Sequence, residues 1–285
     1  MTNIIGIIGG DLRIIRLAEI YAKENYLVYT YGLEKYNFLE KSIIKCNNIK
    51  EIKTKSNIIL SGVPFSKDGI FLEAPFSNEK ILINDLFELI KNKTLIAGGI
   101  SKFIEEQNSY SIKVIDLLKI EELTILNVIP TVEGAIKVAI EETEFTLNGA
   151  KCLILGFGRI GKLLASKLQA FETEVYVEAR KQSDLAWIKA YGFKQIDLKD
   201  LDKNLEQNFD IIFNTIPYIL LDKKRLEILK KIKPLIIELA SKPGGVDLEV
   251  ASNFGIKVVN AQGLPGKVAP LTSAKNIKDI VDKLL

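Results

Sequence analysis

Apolar residues fall in two rhythms along this chain. Short runs such as Asn3–Ile8, Tyr26–Tyr31, Ile58–Ser61, Thr94–Ala97 and Lys113–Ile115 are nearly continuous in Ile, Leu and Val, as expected of strands buried on both faces. Between them the apolar positions recur at helical spacing. In Leu12–Glu24, Ile14, Ile15, Leu17, Ala18 and Tyr21 share one side. The later part repeats the alternation, with strands predicted at Lys151–Leu155, Val175–Glu178, Ile211–Asn214, Leu235–Leu239 and Lys257–Asn260. Strand–helix alternation from end to end predicts an α/β protein of two doubly wound domains with parallel sheets.

A join is predicted between the halves. Pro130 is expected to break the preceding run, and Thr131 to cap a helix Val132–Glu142. Residues 1–130 then form an N-terminal, flavodoxin-like substrate domain. Residues 131–285 form a Rossmann domain, with 131–147 as connector. The terminal helix Ala274–Leu285 is placed so that it can pack back on the first domain.

The chain has 285 residues, enough for two ordinary domains, with 47% hydrophobic and 26% charged residues. Its formal net charge is only +3, and its lysines are dispersed, so no nucleic-acid partner is expected. The start lacks a signal-peptide pattern, and no apolar run is read as spanning a bilayer, so a cytoplasmic protein with no membrane partner is expected. Cys46 and Cys152 are the two cysteines, and Cys152, inside a predicted strand, is read as an inert reduced thiol. There is no histidine. Imidazole acid–base chemistry, Ser-His and Cys-His pairs and most zinc sites are thereby excluded, and no metal site is expected.

Gly156-Phe157-Gly158-Arg159-Ile160-Gly161 fits the dinucleotide fingerprint G-x-G-x-x-G. A bare match is weak, but this one follows an apolar strand and opens the helix Lys162–Phe171. Gly156 permits the tight turn, Gly158 admits the pyrophosphate to the backbone, and Gly161 lets helix and strand approach. About 20 residues on, NAD sites carry an acid for the ribose hydroxyls. By spacing Ala179 stands there, followed by Arg180 and Lys181. Arg180 suits a 2′-phosphate, which favours NADP over NAD. A register shift of one would put Glu178 at the acid's place and restore NAD. Asn214-Thr215-Ile216-Pro217 and the loop beginning Ala240-Ser241-Lys242 follow further strands, where ligands of this fold bind.

Several stretches together resemble one family. They are Ile129-Pro-Thr-Val-Glu-Gly-Ala135, the GFGRIG turn, Asn214–Pro217, Leu239-Ala-Ser-Lys-Pro-Gly-Gly-Val-Asp247 and Ala261-Gln-Gly-Leu-Pro-Gly-Lys-Val-Ala-Pro-Leu-Thr272. With the opening Ile7-Ile8-Gly9-Gly10-Asp11 and Arg13, they resemble the A-subunit family of dipicolinate synthase over nearly the whole chain. The resemblance implies oxidation of dihydrodipicolinate, or its hydrated precursor, to pyridine-2,6-dicarboxylate in the mother cell of a sporulating bacterium. It also implies the flavoprotein-like second subunit of dipicolinate synthase (its B-subunit) as partner, beside a possible homo-oligomer. The Rossmann half further resembles D-2-hydroxyacid dehydrogenases. There the Ser241-Lys242 position carries a substrate-binding Arg, and a catalytic His lies near Gln262–Lys267; neither residue is present here. Loss of the base is tolerable for this substrate, because aromatisation of the ring supplies the driving force.

A dicarboxylate calls for cations and hydroxyl donors. Ser241, Lys242, Lys267 and Thr272 are the leading candidates, in a loop held by Gly263, Pro265, Gly266 and Pro270. Lys242 and Lys267, with Glu133 as proton acceptor, are the candidate catalytic groups. Glu133, read as a first-turn residue, could equally offset the helix dipole. Thr131 is expected at the substrate side. Asp11 and Arg13 are either substrate contacts or an N-cap followed by an exposed cation, and the loops Ser61–Phe65 and Ala97–Ser101 also end strands. Two other readings stay open: a non-catalytic NADP-binding or scaffold protein, and a hydroxyacid or shikimate-type dehydrogenase.

Overall fold

The computed structural model describes residues 3–101, 104, 106 and 109–284. Met1, Thr2 and Leu285, the outer ends of the expected domains, lie outside them. The chain divides into two compact units, Met1–Asn127 with Ala269–Leu285, and Val128–Val268.

In the first unit, β1 (Ile4–Ile8), β2 (Leu27–Tyr31), β3 (Ile43–Lys45), β4 (Ile58–Ser61), β5 (Thr94–Ala97) and β6 (Lys113–Asp116) form one sheet of order β3-β2-β1-β4-β5-β6. Every pairing in it is parallel. Both faces are covered, which is why the strands read as unbroken apolar runs. Ile5, Ile7, Leu60 and Ile96 join one core, and Ile8, Ile59, Leu95 and Ala97 the other. This strand order is that of a dinucleotide-type doubly wound sheet, not the 2-1-3-4-5 order of flavodoxin, so the flavodoxin-like expectation is corrected. The reversal lies between β1 and β4, as in the second unit it lies between the first and fourth strands.

The helix Leu12–Lys23 buries the face that its spacing predicts, Ile14, Ile15, Leu17, Ala18 and Tyr21 among them. Against it packs the final helix, Pro270–Leu284, through Ala274, Ile277, Ile280 and Val281. The Tyr21 hydroxyl donates to Asp282 Oδ1 at 3.0 Å, and Lys278 Nζ bridges Glu24 (2.8 Å) and Asp282 (2.5 Å). That helix starts four residues before the expected Ala274, with Pro270 as its first residue, a position where the missing N–H costs nothing.

The second unit repeats the design. β7 (Lys151–Leu155), β8 (Glu174–Ala179), β9 (Lys194–Asp197), β10 (Ile211–Asn214), β11 (Leu235–Glu238) and β12 (Val258–Asn260) are ordered β12-β11-β10-β7-β8-β9, again parallel throughout. Cys152, Ile154, Val177, Phe213 and Ile237 face one core, and Leu153, Leu155, Ile212 and Ile236 the other. Burial lifts the Cys152 thiol to about 12 and the Cys46 thiol to about 11, so both are inert.

The expected connector is corrected. The helix runs Val128–Glu141, through Pro130, and its Val132, Ala135 and Ala139 lie in the second unit's core. Proline is tolerated there because the N–H groups of a first turn have no intrahelical partner. Thr131 is therefore inside the helix rather than its cap, and Glu133 lies beyond the first turn. The stretch Glu121–Glu141 is long and apolar enough by composition to cross a membrane, contrary to the sequence expectation. Its helix is interrupted at Asn127, and Val128, Val132, Ala135, Ile136 and Ala139 of the second part are buried in the core, while Ile129 and Ile140 are exposed.

Candidate functional site

The GFGRIG turn joins β7 to the helix Arg159–Ala170, and its three glycines meet three different surroundings. Gly156 has φ +95°, and a Cβ there would lie 2.7 Å from Thr215 Oγ1. A Cβ on Gly161 would lie 2.1 Å from the Gly156 carbonyl oxygen, so helix and strand touch backbone to backbone. Around Gly158, by contrast, an added Cβ meets nothing within 4 Å. Gly158 is also the N-cap, and no side chain caps this helix. A twelve-residue helix thus starts at a glycine with open space on its Cβ side and no side-chain cap, an arrangement suited to a phosphate anion.

The equivalent turn of the first unit, Gly9-Gly10-Asp11, is filled by its own side chains. Asp11 Oδ1 accepts from the Arg13 amide at 3.0 Å, capping the helix Leu12–Lys23. The Arg13 guanidinium pairs with Asp11 at 2.7 Å and donates to the Val63 carbonyl. Arg13 is only 5% exposed, so the expectation of an exposed cation is corrected, while Asp11 is the N-cap.

At the end of β8, Glu178 is buried, with its Oε2 accepting from the Gly156 amide at 3.2 Å. Desolvation outweighs that hydrogen bond and the attraction of Arg225 and Arg180, and pushes the carboxyl up to about 7. Ala179 is buried, while Arg180 and Lys181 are exposed. Neither cation forms an ion pair among the described residues. Phe157 turns its ring into the core under Lys162, whose Nζ lies 5.3 Å from the ring centroid, so only the Phe157 backbone belongs to the turn. Arg159 is exposed and Ile160 is half-buried.

The loops after β10, β11 and β12 are tied together by a buried carboxylate that the sequence reading does not anticipate. Asn214 and Glu238 are register partners at the ends of β10 and β11, and both are buried. Glu238 Oε1 accepts from Asn214 Nδ2 (2.8 Å) and the Ala240 amide (2.9 Å), and Oε2 from the Gly245 amide (2.8 Å). Asn214 Oδ1 accepts from the Ile216 amide (3.2 Å), and Thr215 Oγ1 donates to the Leu155 carbonyl (2.8 Å). From beyond β12, Gln262 Nε2 donates to the Ala240 carbonyl at 2.6 Å. A signal exists in the sequence: an acid ending the apolar run Leu235-Ile-Ile-Glu238 is a buried charge awaiting donors.

Beside this network lies an open cavity of about 520 Å³, lined by Glu238, Lys242, Pro243, Gly244, Val246, Leu248, Asn260 and Gln262. Ser241 and Lys242 are exposed, and Pro217 borders the same strand ends. The segment expected to be a rigid loop is helical: Lys267 lies in the helix Leu264–Val268 and Thr272 in the first turn of Pro270–Leu284. Lys267 is in the second unit and Thr272 in the first. Gly134 fixes the short helix, since a Cβ there would lie 3.0 Å from Leu264. Glu133 and Lys267 are exposed and form no ion pair among the described residues; Thr131 is half-buried. Among the described residues, no group of three or more His, Cys, Asp or Glu side chains is placed to hold a metal.

Comparison with known proteins finds a family match on each unit. Residues 4–118 match the family of the N-terminal domain of the dipicolinate synthase A-subunit, and residues 132–236 the NAD binding domain of D-isomer specific 2-hydroxyacid dehydrogenases. The dipicolinate synthase A-subunit of Bacillus subtilis (strain 168) is 33% identical over 286 aligned residues, covering 99% of this chain and 95% of that protein. The crystal structure of the dipicolinate synthase A-subunit from Bacillus halodurans superposes with a TM-score of 0.88 at 28% identity, over 99% of this chain and 97% of that one. The crystal structure of its Bacillus subtilis counterpart gives 0.86 at 30%, over 100% and 96%.

Proposed function

The chain belongs to the A-subunit family of dipicolinate synthase, and from that premise we propose that it oxidises dihydrodipicolinate, or its hydrated precursor, to dipicolinate with NADP. Its second unit is a Rossmann-type NAD-binding-like domain. The observation that carries the reading is the open space at Gly158 in front of an uncapped helix N-terminus. The dinucleotide would be held by Gly156, Gly158 and Gly161 at the pyrophosphate, by Ala179, Arg180 and Lys181 at the adenosine ribose, and by Asn214–Pro217 and Ala240 towards the nicotinamide. When bound, it supplies the acceptor for the hydride that the substrate loses.

The protein's own residues bind and orient. Lys242 and Ser241, beside the cavity, and Lys267 supply charge and hydrogen bonds for the substrate carboxylates. Glu133 or water takes the proton, since the aromatic product supplies the driving force and a strong base is not needed. Asp11 and Arg13 act as a self-contained pair that shapes the first unit's turn, with substrate contact left to Asp11's exposed edge. The proposed setting is the mother-cell cytoplasm, together with the flavoprotein-like B-subunit.

The test is turnover. Purified protein with NADP+ and freshly generated dihydrodipicolinate should show absorbance growing at 340 nm in step with dipicolinate. A rate seen only when the B-subunit is added would favour a scaffold role. Faster turnover of a simple hydroxyacid would favour a hydroxyacid dehydrogenase.

A further inference from the structure

The loop of residues 240–245 is held at both ends by one side chain. Glu238, at the end of β11, is 3% exposed. Its Oε1 accepts from the Ala240 amide (2.9 Å), where the loop opens, and its Oε2 from the Gly245 amide (2.8 Å), where the loop closes. Between them the Gly244 amide donates to the Ser241 carbonyl at 2.9 Å, which folds residues 241–244 into a turn. The closing end leaves no slack, since a Cβ on Gly245 would lie 2.3 Å from Asn214 Nδ2. A second tie reaches the opening end from beyond β12, where Gln262 Nε2 donates to the Ala240 carbonyl at 2.6 Å. Lys242 stands exposed in this turn. Among the described residues it forms no ion pair, and it is the one cation that lines the cavity of about 520 Å³.

The residue type at 238 matters. Burying a carboxylate costs free energy that an apolar side chain would avoid, and no cation pairs with Glu238 among the described residues. What a carboxylate offers in return is two oxygens that accept and no donor. An amide has one acceptor oxygen, so it can hold one end of the loop but not both. We propose that Glu238 is a positioning residue: by clamping both ends of the loop it fixes Lys242 at the cavity to receive one carboxylate of the substrate ring. Gln262 acts with it from the opening end. Lysine is a point charge on a flexible stem, so a fixed backbone leaves it less freedom to lose when the carboxylate binds. This inference rests on the reading of Lys242 as a ligand of the substrate carboxylates.

The experiment is a double-mutant cycle read by calorimetric titration of the whole chain with dipicolinate, the stable product, and in parallel with NADP+. Lys242→Ala should weaken dipicolinate binding about ten-fold or more, the loss of a charge-assisted contact. Glu238→Gln, which turns an NH2 group against the Gly245 amide and so frees the closing end, should weaken it about ten-fold, the upper end of what ordering one long side chain costs. Gln262→Ala carries the test if Glu238→Gln does not fold. It should weaken dipicolinate in the same way and leave NADP+ within about two-fold, because the phosphate turn is untouched. In a Lys242→Ala background either substitution should add less than about two-fold, since the side chain it positions is gone. Undiminished dipicolinate binding by the folded variants, an effect that persists in full without Lys242, or an equal loss of NADP+ affinity in Gln262→Ala overturns the proposal. Failure of the wild type to bind dipicolinate, or a Lys242→Ala variant that binds it equally well, would instead overturn the reading of Lys242 beneath it.

Discussion

Two buried carboxylates dominate the second unit at the residue scale, and they behave oppositely. Glu238 receives three N–H donors, so its burial is compensated. Replacing it by Ala leaves those donors unsatisfied and should destabilise the unit by about 2–4 kcal/mol in urea unfolding. Glu178 receives one hydrogen bond, and desolvation dominates. Its folded-state value of about 7 exceeds the ordinary 4.5. Between those pH values the unfolded chain has released the proton while the folded chain keeps it. Stability therefore falls as pH rises through this window, by about 3 kcal/mol, and is level above it. Glu178→Gln should gain about that much on the wild type between pH 4.5 and pH 8 in urea melts. A difference independent of pH would contradict the assignment.

At the scale of elements, the sequence is legible where burial on both faces writes a continuous apolar run. All central strands of both sheets are read from such runs. The two strands that escape this reading, Ile43–Lys45 and Lys194–Asp197, occupy the same place in each sheet, the outer edge beyond β2 and β8. Each is a strand of three or four residues with a single buried residue, Ile43 or Ile196, so its pattern is too short to stand out. The stretch Leu264–Val268 reads wrongly as a loop because of its Pro and Gly. Packing of Leu264 on Gly134 overrides that local preference. The glycines of the phosphate turn are correctly placed by sequence, but their division of labour is not visible without coordinates. Gly161→Ala puts a Cβ into the Gly156 carbonyl and should cost about 1–3 kcal/mol of stability in urea unfolding.

For the whole molecule, the chain order hides one long-range dependence. The first unit is completed by the last helix, whose Ala274, Ile277, Ile280 and Val281 are buried in its core. Removing residues 269–285 uncovers these side chains. At roughly 1.5–3 kcal/mol for each large one, the loss rivals the stability of an ordinary domain. Hydrogen exchange should then show the first unit open while the second, Val128–Val268, keeps its protection. Equal protection of both would contradict the division. Both units share one strand order, yet only the second leaves its first turn open, because Asp11 and Arg13 close the other.

That contrast makes Gly158 the decisive position. Its φ of −81° suits any residue, and an added Cβ meets no protein atom. Gly158→Ala should change urea unfolding by no more than about 1 kcal/mol, the cost of Ala at an N-cap, so the protein stays folded and a binding change cannot be blamed on misfolding. Calorimetric titration with NADP+ is the direct measurement. The predicted result is saturable binding by the wild type and at least about ten-fold weaker binding by Gly158→Ala, a loss near 1.4 kcal/mol. Equal affinity in the two proteins would contradict the assignment of this turn as the phosphate cradle.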